Sequence, residues 1–154
     1  MAAKGFSPLY LNLDLINERA ADIKSALQLL ATYGSLPKHD FLANETILSA
    51  AKYQLLVAIE AAQTICSHLA ARVAKKAPAS YADCFMTLFQ ASIIERELAG
   101  KLAAMAKFRN LLVHRYADID NDRVYAIINN DLKDLEEYLK QVGKFIIGVL
   151  GNEK

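Results

Sequence analysis

An all-α fold, an up-and-down bundle of four long helices plus a short one, is what this sequence predicts. Helix breakers are scarce, with six Gly and three Pro in 154 residues. The hydrophobic share is 54%, raised by alanine, which with Leu, Ile, Lys and Glu favours helix. Apolar residues also recur at alternating spacings of four and three, the repeat of a helix that buries one face. The length suits one domain, residues 1–154, with a real core.

The first helix is expected from about Asn12 to Tyr33, with the stripe Leu9, Leu13, Ile16, Ala20, Ile23, Leu27 and Leu30. Gly34-Ser35-Leu36-Pro37 ends it, glycine at the usual terminal position and proline just beyond. The second is expected from about Asp40 to Ala74 through Leu48, Leu55, Ile59, Ala62, Cys66, Leu69 and Val73. Unbroken, it would be about 50 Å long at about 1.5 Å per residue. Lys75-Lys76-Ala77-Pro78-Ala79-Ser80 reads as a loop, and Tyr81 to Gln90 as the short helix. The fourth long pattern covers about Ile93 to Arg115. The last covers about Arg123 to Leu150, with a seam of Ile128, Leu132, Leu135, Leu139, Val142, Ile146 and Val149 that suits a bundle partner.

A formal charge of +1 excludes a bulk polycation that holds nucleic acid by net charge alone, and leaves a local phosphate site open. Cys66 and Cys84 have neither paired nor metal-type spacing and read as small buried thiols of a reducing cytosol. Met1 to Phe6 lacks the apolar core of a signal peptide, and the longest late apolar run, Phe145 to Leu150, falls far short of the roughly 20 residues of a membrane span. A cytoplasmic protein with no membrane partner is expected.

The fourth helix concentrates the chemistry. Phe108-Arg109-Asn110-Leu111-Leu112-Val113-His114-Arg115-Tyr116 sets a strong cation beside a group that titrates near neutrality. A guanidinium holds phosphate oxygens in a bidentate fork, and an imidazole moves a proton near pH 7. On a helical wheel Leu98, Leu102, Met105, Arg109, Leu112 and Tyr116 share one face within about 40°. Arg96, Gly100, Ala103, Lys107, Asn110 and His114 lie opposite, where Gly100 and Ala103 permit close approach of another helix. Arg109 in line with core residues must be paired, and Glu60 and Glu95 are the candidate acids. Taken alone, His114 in this position is more often a surface or capping residue, and a Tyr in line with a core stripe, as Tyr116 is, usually packs. Arg109 and His114 also lie about 140° apart on a continuous helix. A shared phosphate therefore requires the helix to unwind near His114, Arg109 to reach around on its stem, or a second subunit to complete the site.

Arg109-Asn110-x-x-x-His114-x-Tyr116 resembles the signature of the HEPN superfamily, specifically its HepT-like ribonuclease toxins. Leu55 to Ala62, Tyr81 to Phe85, Met105 to Phe108, and Asp118-Ile119-Asp120 before Val124-Tyr125 also resemble that branch, in order and over most of the chain. An Arg-to-His spacing alone is weak; the extended motif in the fourth helix of an all-helical chain is strong. The resemblance implies a homodimer formed through the motif-bearing face and a metal-independent endoribonuclease without cofactor, the toxin of a type VII toxin–antitoxin pair. It implies that Arg109 and His114 are the catalytic pair, that Asn110 orients or contacts RNA, and that no residue binds metal. Lys107, which adds positive charge on the face of His114, is taken with Asn110 as a substrate-binding residue. The implied partner is a minimal nucleotidyltransferase (MNT) antitoxin that silences the toxin by transferring AMP to Tyr116. Ser92, where many members carry Gly, and Arg115, at a variable position, are departures read as neutral. The alternative is a non-catalytic HEPN module that docks a nucleotidyltransferase or binds nucleotide. A purely structural helical adaptor is a third reading.

Overall fold

The computed structural model describes residues 10–151, within which seven α-helices run in succession. Leu9 of the first stripe and the Met1–Phe6 segment lie outside the described residues. Helix α1, Leu13–Gly34, starts where the Asn12 side chain accepts the Leu15 N–H at 3.0 Å. This capping satisfies a donor that the first turn leaves free. Ile16, Ile23, Leu27 and Leu30 are buried as the stripe requires. Gly34 lets α1 end against a later helix: a Cβ there would meet the Ile128 side chain at 2.6 Å.

The expected second helix is divided. Helix α2, Lys38–Ala43, is short and buries Phe41, and α3, Glu45–Leu69, carries the central stripe. Between them Asn44 leaves the helical region at φ −109° and ψ 98°, and its side chain accepts the Ile47 N–H at 3.1 Å. Asparagine gains more as a cap than inside a helix, where its side chain competes for the backbone. Helix α3 closes in a π-helical turn, Ala70–Ala74, ended by Lys75 in the left-handed conformation.

Helix α4, Tyr81–Gln90, is capped by Ser80 as the loop pattern implies. Helix α5, Arg96–His114, begins three residues later than expected, because Ile93 and Ile94 are buried in the preceding turn. Ser92 makes that turn at φ 62°, a conformation glycine adopts at least cost, so the serine carries a local backbone cost there. A 3₁₀ turn, Tyr116–Asp118, leads to α6, Asn121–Asn130, and α7, Leu132–Gly151. The single final helix of the sequence reading is thus broken at Asp131, after two asparagines with weak helix preference. Four long helices hold as expected, with three short ones among the described residues where one was anticipated.

Helix α1 lies along α3, α4 along α5, and α7 against α5. Leu30, Leu55, Ile59, Leu102 and Leu135 meet in the core. Tyr138 is fully buried and donates its hydroxyl to the Ala62 carbonyl at 3.0 Å; burial raises its pKa well above that of a free phenol. Cys66 and Cys84 are free and buried as expected, but α3 and α4 bring them together, the Cys66 thiol donating to Cys84 at 2.6 Å. Burial pushes the Cys66 thiol up, while the hydrogen bond from Cys66 pulls Cys84 down. Among the described residues no helix is long and apolar enough to cross a membrane.

Candidate active site

Helix α5 is held by Leu98, Leu102, Met105, Phe108 and Leu112, all buried, so its motif-bearing end is fixed by the core. Arg109 follows that stripe and is paired. Its Nη2 lies 2.9 Å from Glu60 Oε1 on α3, while its Nη1 donates to Asn110 Oδ1 at 3.3 Å. Its Nε is buried without a partner. Of the two acids the sequence offered, Glu60 makes the pair; the Glu95 backbone N–H instead donates to the Gln141 side chain. Asn110 thus contacts Arg109 directly, and Lys107 is exposed one turn earlier.

His114 is the last residue of α5 and is exposed. The helix stays α-helical through it and departs only at Arg115, with φ −131° and ψ 37°. Arg109 and His114 are therefore on one continuous helix, about 140° apart. Of the three solutions open to the sequence, unwinding between the two residues is absent, and the Arg109 guanidinium is engaged by α3.

Tyr116 departs from the wheel reading. The helix ends before it, so it leaves the core stripe and is 46% exposed on the following 3₁₀ turn. That turn is fastened by Arg115, whose Nη2 lies 3.1 Å from Asp118 Oδ2. Beneath the Tyr116 ring stands the Lys52 ammonium of α3, 4.5 Å from the ring centroid. Lys52 is not among the residues that the motif marks, although its place in the chain carries a signal. It lies four residues after Leu48 and three before Leu55, inside the buried stripe, the same anomaly that marked Arg109. Leu111 and Val113, between the motif residues, are also exposed. A groove of about 410 Å³ between α5, α6 and the start of α7, lined by Met105, Phe108 and Arg123 among others, does not include Arg109, His114 or Tyr116.

An all-helical bundle that sets Arg, Asn, His and Tyr in this order at one helix end is a HEPN-class protein. The chain belongs to the Ribonuclease HepT-like family, which residues 16–142 match. It is 27% identical over 132 residues to the tRNA nuclease HepT of Aphanizomenon flos-aquae, covering 81% of this chain and 90% of that protein. It is also 27% identical over 129 residues to the mRNA nuclease HepT of Shewanella oneidensis, covering 82% and 94% respectively. Among solved structures, the tri-AMPylated Shewanella oneidensis HEPN toxin in complex with MNT antitoxin superposes with a TM-score of 0.77 at 25% identity, over 85% of this chain and 98% of that one. The cytosolic protein YutE from Bacillus subtilis shares the fold, with a TM-score of 0.78 at 18% identity over 95% of each chain.

Proposed function

We propose that this chain is an endoribonuclease toxin with Arg109 and His114 as its catalytic pair, silenced when an MNT-type antitoxin transfers AMP to Tyr116. The carrying observation is the end of α5: a guanidinium oriented by Glu60 and Asn110, an exposed imidazole on the last helical residue, and an exposed phenol on the next turn. Family membership and the nuclease names of its relatives support the activity. The tri-AMPylated toxin in complex with its antitoxin supports the partner and the modification.

In this reading His114 is general base toward an RNA 2′-hydroxyl or general acid toward the leaving oxygen: the 2′-oxygen attacks the adjacent phosphorus, and the 5′-oxygen leaves with the bonding electrons and takes up a proton from His114 or water. Arg109 stabilises charge building on the phosphoryl oxygens, Asn110 orients it, and Lys107 attracts the RNA backbone. The products carry a 2′,3′-cyclic phosphate and a 5′-hydroxyl, and no metal ion enters the scheme. An all-DNA strand lacks the nucleophile and is spared; its cleavage would overturn the mechanism. Because Arg109 and His114 diverge around α5, a homodimer that sets two copies of this face beside one cleft completes the site. Exposed Val113 lies beside Arg109 and exposed Leu111 beside His114, so each of the two diverging faces carries an apolar side chain that supports such an interface.

Expression of the chain should arrest growth, and His114→Ala, with the fold intact, should abolish the arrest and lower RNA cleavage by roughly 10²–10⁴-fold. Unchanged toxicity of that variant rejects the assignment. One observation favours the non-catalytic binding module: the Glu60 carboxylate already neutralises the guanidinium that a phosphate would need. Absence of RNA cleavage by the wild-type chain would select that reading.

A further inference from the structure

Lys52 is an unusual cation. It sits inside the apolar stripe of α3, its residue is only 9% exposed, and its ammonium rests on the Tyr116 ring. Nearby guanidinium groups are matched, Arg109 by Glu60 and Arg115 by Asp118. Among the described residues no carboxylate lies within ion-pair distance of Lys52. A ring face offers an ammonium a weaker partner than an anion does, and a buried cation without a counter-charge favours whatever negative group arrives. Such a group would arrive at the neighbouring atom: the Tyr116 hydroxyl stands at the edge of the same ring, on a half-exposed turn.

We propose that Lys52 is the phosphate-holding, positioning residue of the nucleotide-acceptor site at Tyr116. This rests on the reading of Tyr116 as the AMP acceptor. When the phenol oxygen attacks the α-phosphorus of ATP, the new O–P bond forms as the bond to pyrophosphate breaks. Pyrophosphate leaves with the electron pair, and the phenol proton passes to solvent. The flexible lysine stem lets the ammonium swing from the ring face to the non-bridging oxygens of that phosphoryl group. It then becomes the counter-charge of the phosphodiester left on the tyrosine, holding the added nucleotide against the toxin surface.

The test uses the full chain carrying His114→Ala, so that it can be produced without harm, incubated with its MNT antitoxin and ATP and followed by intact mass. Lys52→Met, which keeps the stem and removes the charge, should slow AMP addition at least tenfold through kcat, with KM for ATP unchanged because the lysine engages the phosphoryl group only as it is transferred. Lys52→Arg should restore most of the rate. In a chain with His114 intact, Lys52→Met should cut RNA within about twofold of wild type, because Lys52 faces Tyr116 rather than His114. Addition at the wild-type rate in Lys52→Met, or a parallel loss of AMP addition and RNA cleavage, overturns the proposal while leaving Tyr116 as acceptor. AMP addition that persists in Tyr116→Phe, or none to the parent chain, overturns the acceptor reading and this inference with it.

Discussion

Tyr138 and Arg109 show how differently two polar groups in a helical core are satisfied. The Tyr138 hydroxyl is buried and reaches a backbone carbonyl of α3, so it ties α7 to α3 with one bond. Tyr138→Phe should cost about 1 kcal/mol. In a chain of this size that lowers Tm by roughly 2–4 °C, readable by calorimetry. RNA cleavage should not change, since the ring still fills its place beside Phe85. The Arg109 ion pair is partly exposed and contributes little to stability; its value is in aiming the guanidinium. Both Arg109 and Lys52 were legible as cations in apolar stripes. What each meets was not, because a wheel describes one helix and the partners stand on another element.

At the scale of elements, caps decide where helices break. Asn44→Ala removes the acceptor for the Ile47 N–H and should lower stability by about 1 kcal/mol, whereas Asn44→Asp should nearly preserve it; urea unfolding midpoints measure both. The start of α1 is docked differently. The Asn12 backbone N–H donates to His68 Nε2 near the end of α3 at 2.9 Å, which requires a neutral imidazole. Burial, then the nearby Arg72 charge, holds the His68 pKa below its ordinary value. A histidine depressed in this way adds stability above its unfolded pKa near 6.5 and loses it as pH falls through the lower folded value. Thermal melts should therefore show stability falling as pH drops below about 6.5. His68→Gln should flatten that segment of the profile, and an unchanged profile would show that the docking bond carries no linkage. The expected long second and last helices failed at Asn44 and Asp131 for different reasons. Asn44 precedes Leu48, where the apolar stripe begins, so periodicity set no start there; at Asp131 the stripe runs on from Ile128 to Leu132, and a four-three stripe does not distinguish one helix from two that share a face.

For the whole molecule, the site as proposed is shared between copies. Leu111 and Val113 are exposed on the protomer, so charging them should leave its fold intact, surface changes being typically within about 0.5 kcal/mol. Leu111→Glu with Val113→Glu should turn a dimer into a monomer by light scattering and lower RNA cleavage at least tenfold, while the melting temperature of the protomer stays nearly constant. A variant that remains dimeric and active would place the interface elsewhere. Mixing Arg109→Ala with His114→Ala chains offers a complementary readout, because heterodimers restore one site if each cleft draws Arg109 and His114 from different protomers.

The helical class, the four long helices, and the motif Arg109-Asn110-x-x-x-His114-x-Tyr116 near the end of one of them are readable in the order of residues along the chain. These depend on local periodicity, scarce breakers and the spacing of side chains along one segment, all of which are properties of neighbouring residues. It takes the folded chain to show that Glu60 rather than Glu95 holds Arg109, that Tyr116 leaves the core stripe, that Cys66 meets Cys84, and that Lys52 stands beneath the Tyr116 ring. Each of those depends on where a helix stops and which turn of another helix it faces. Packing sets both through contacts between residues far apart in the chain.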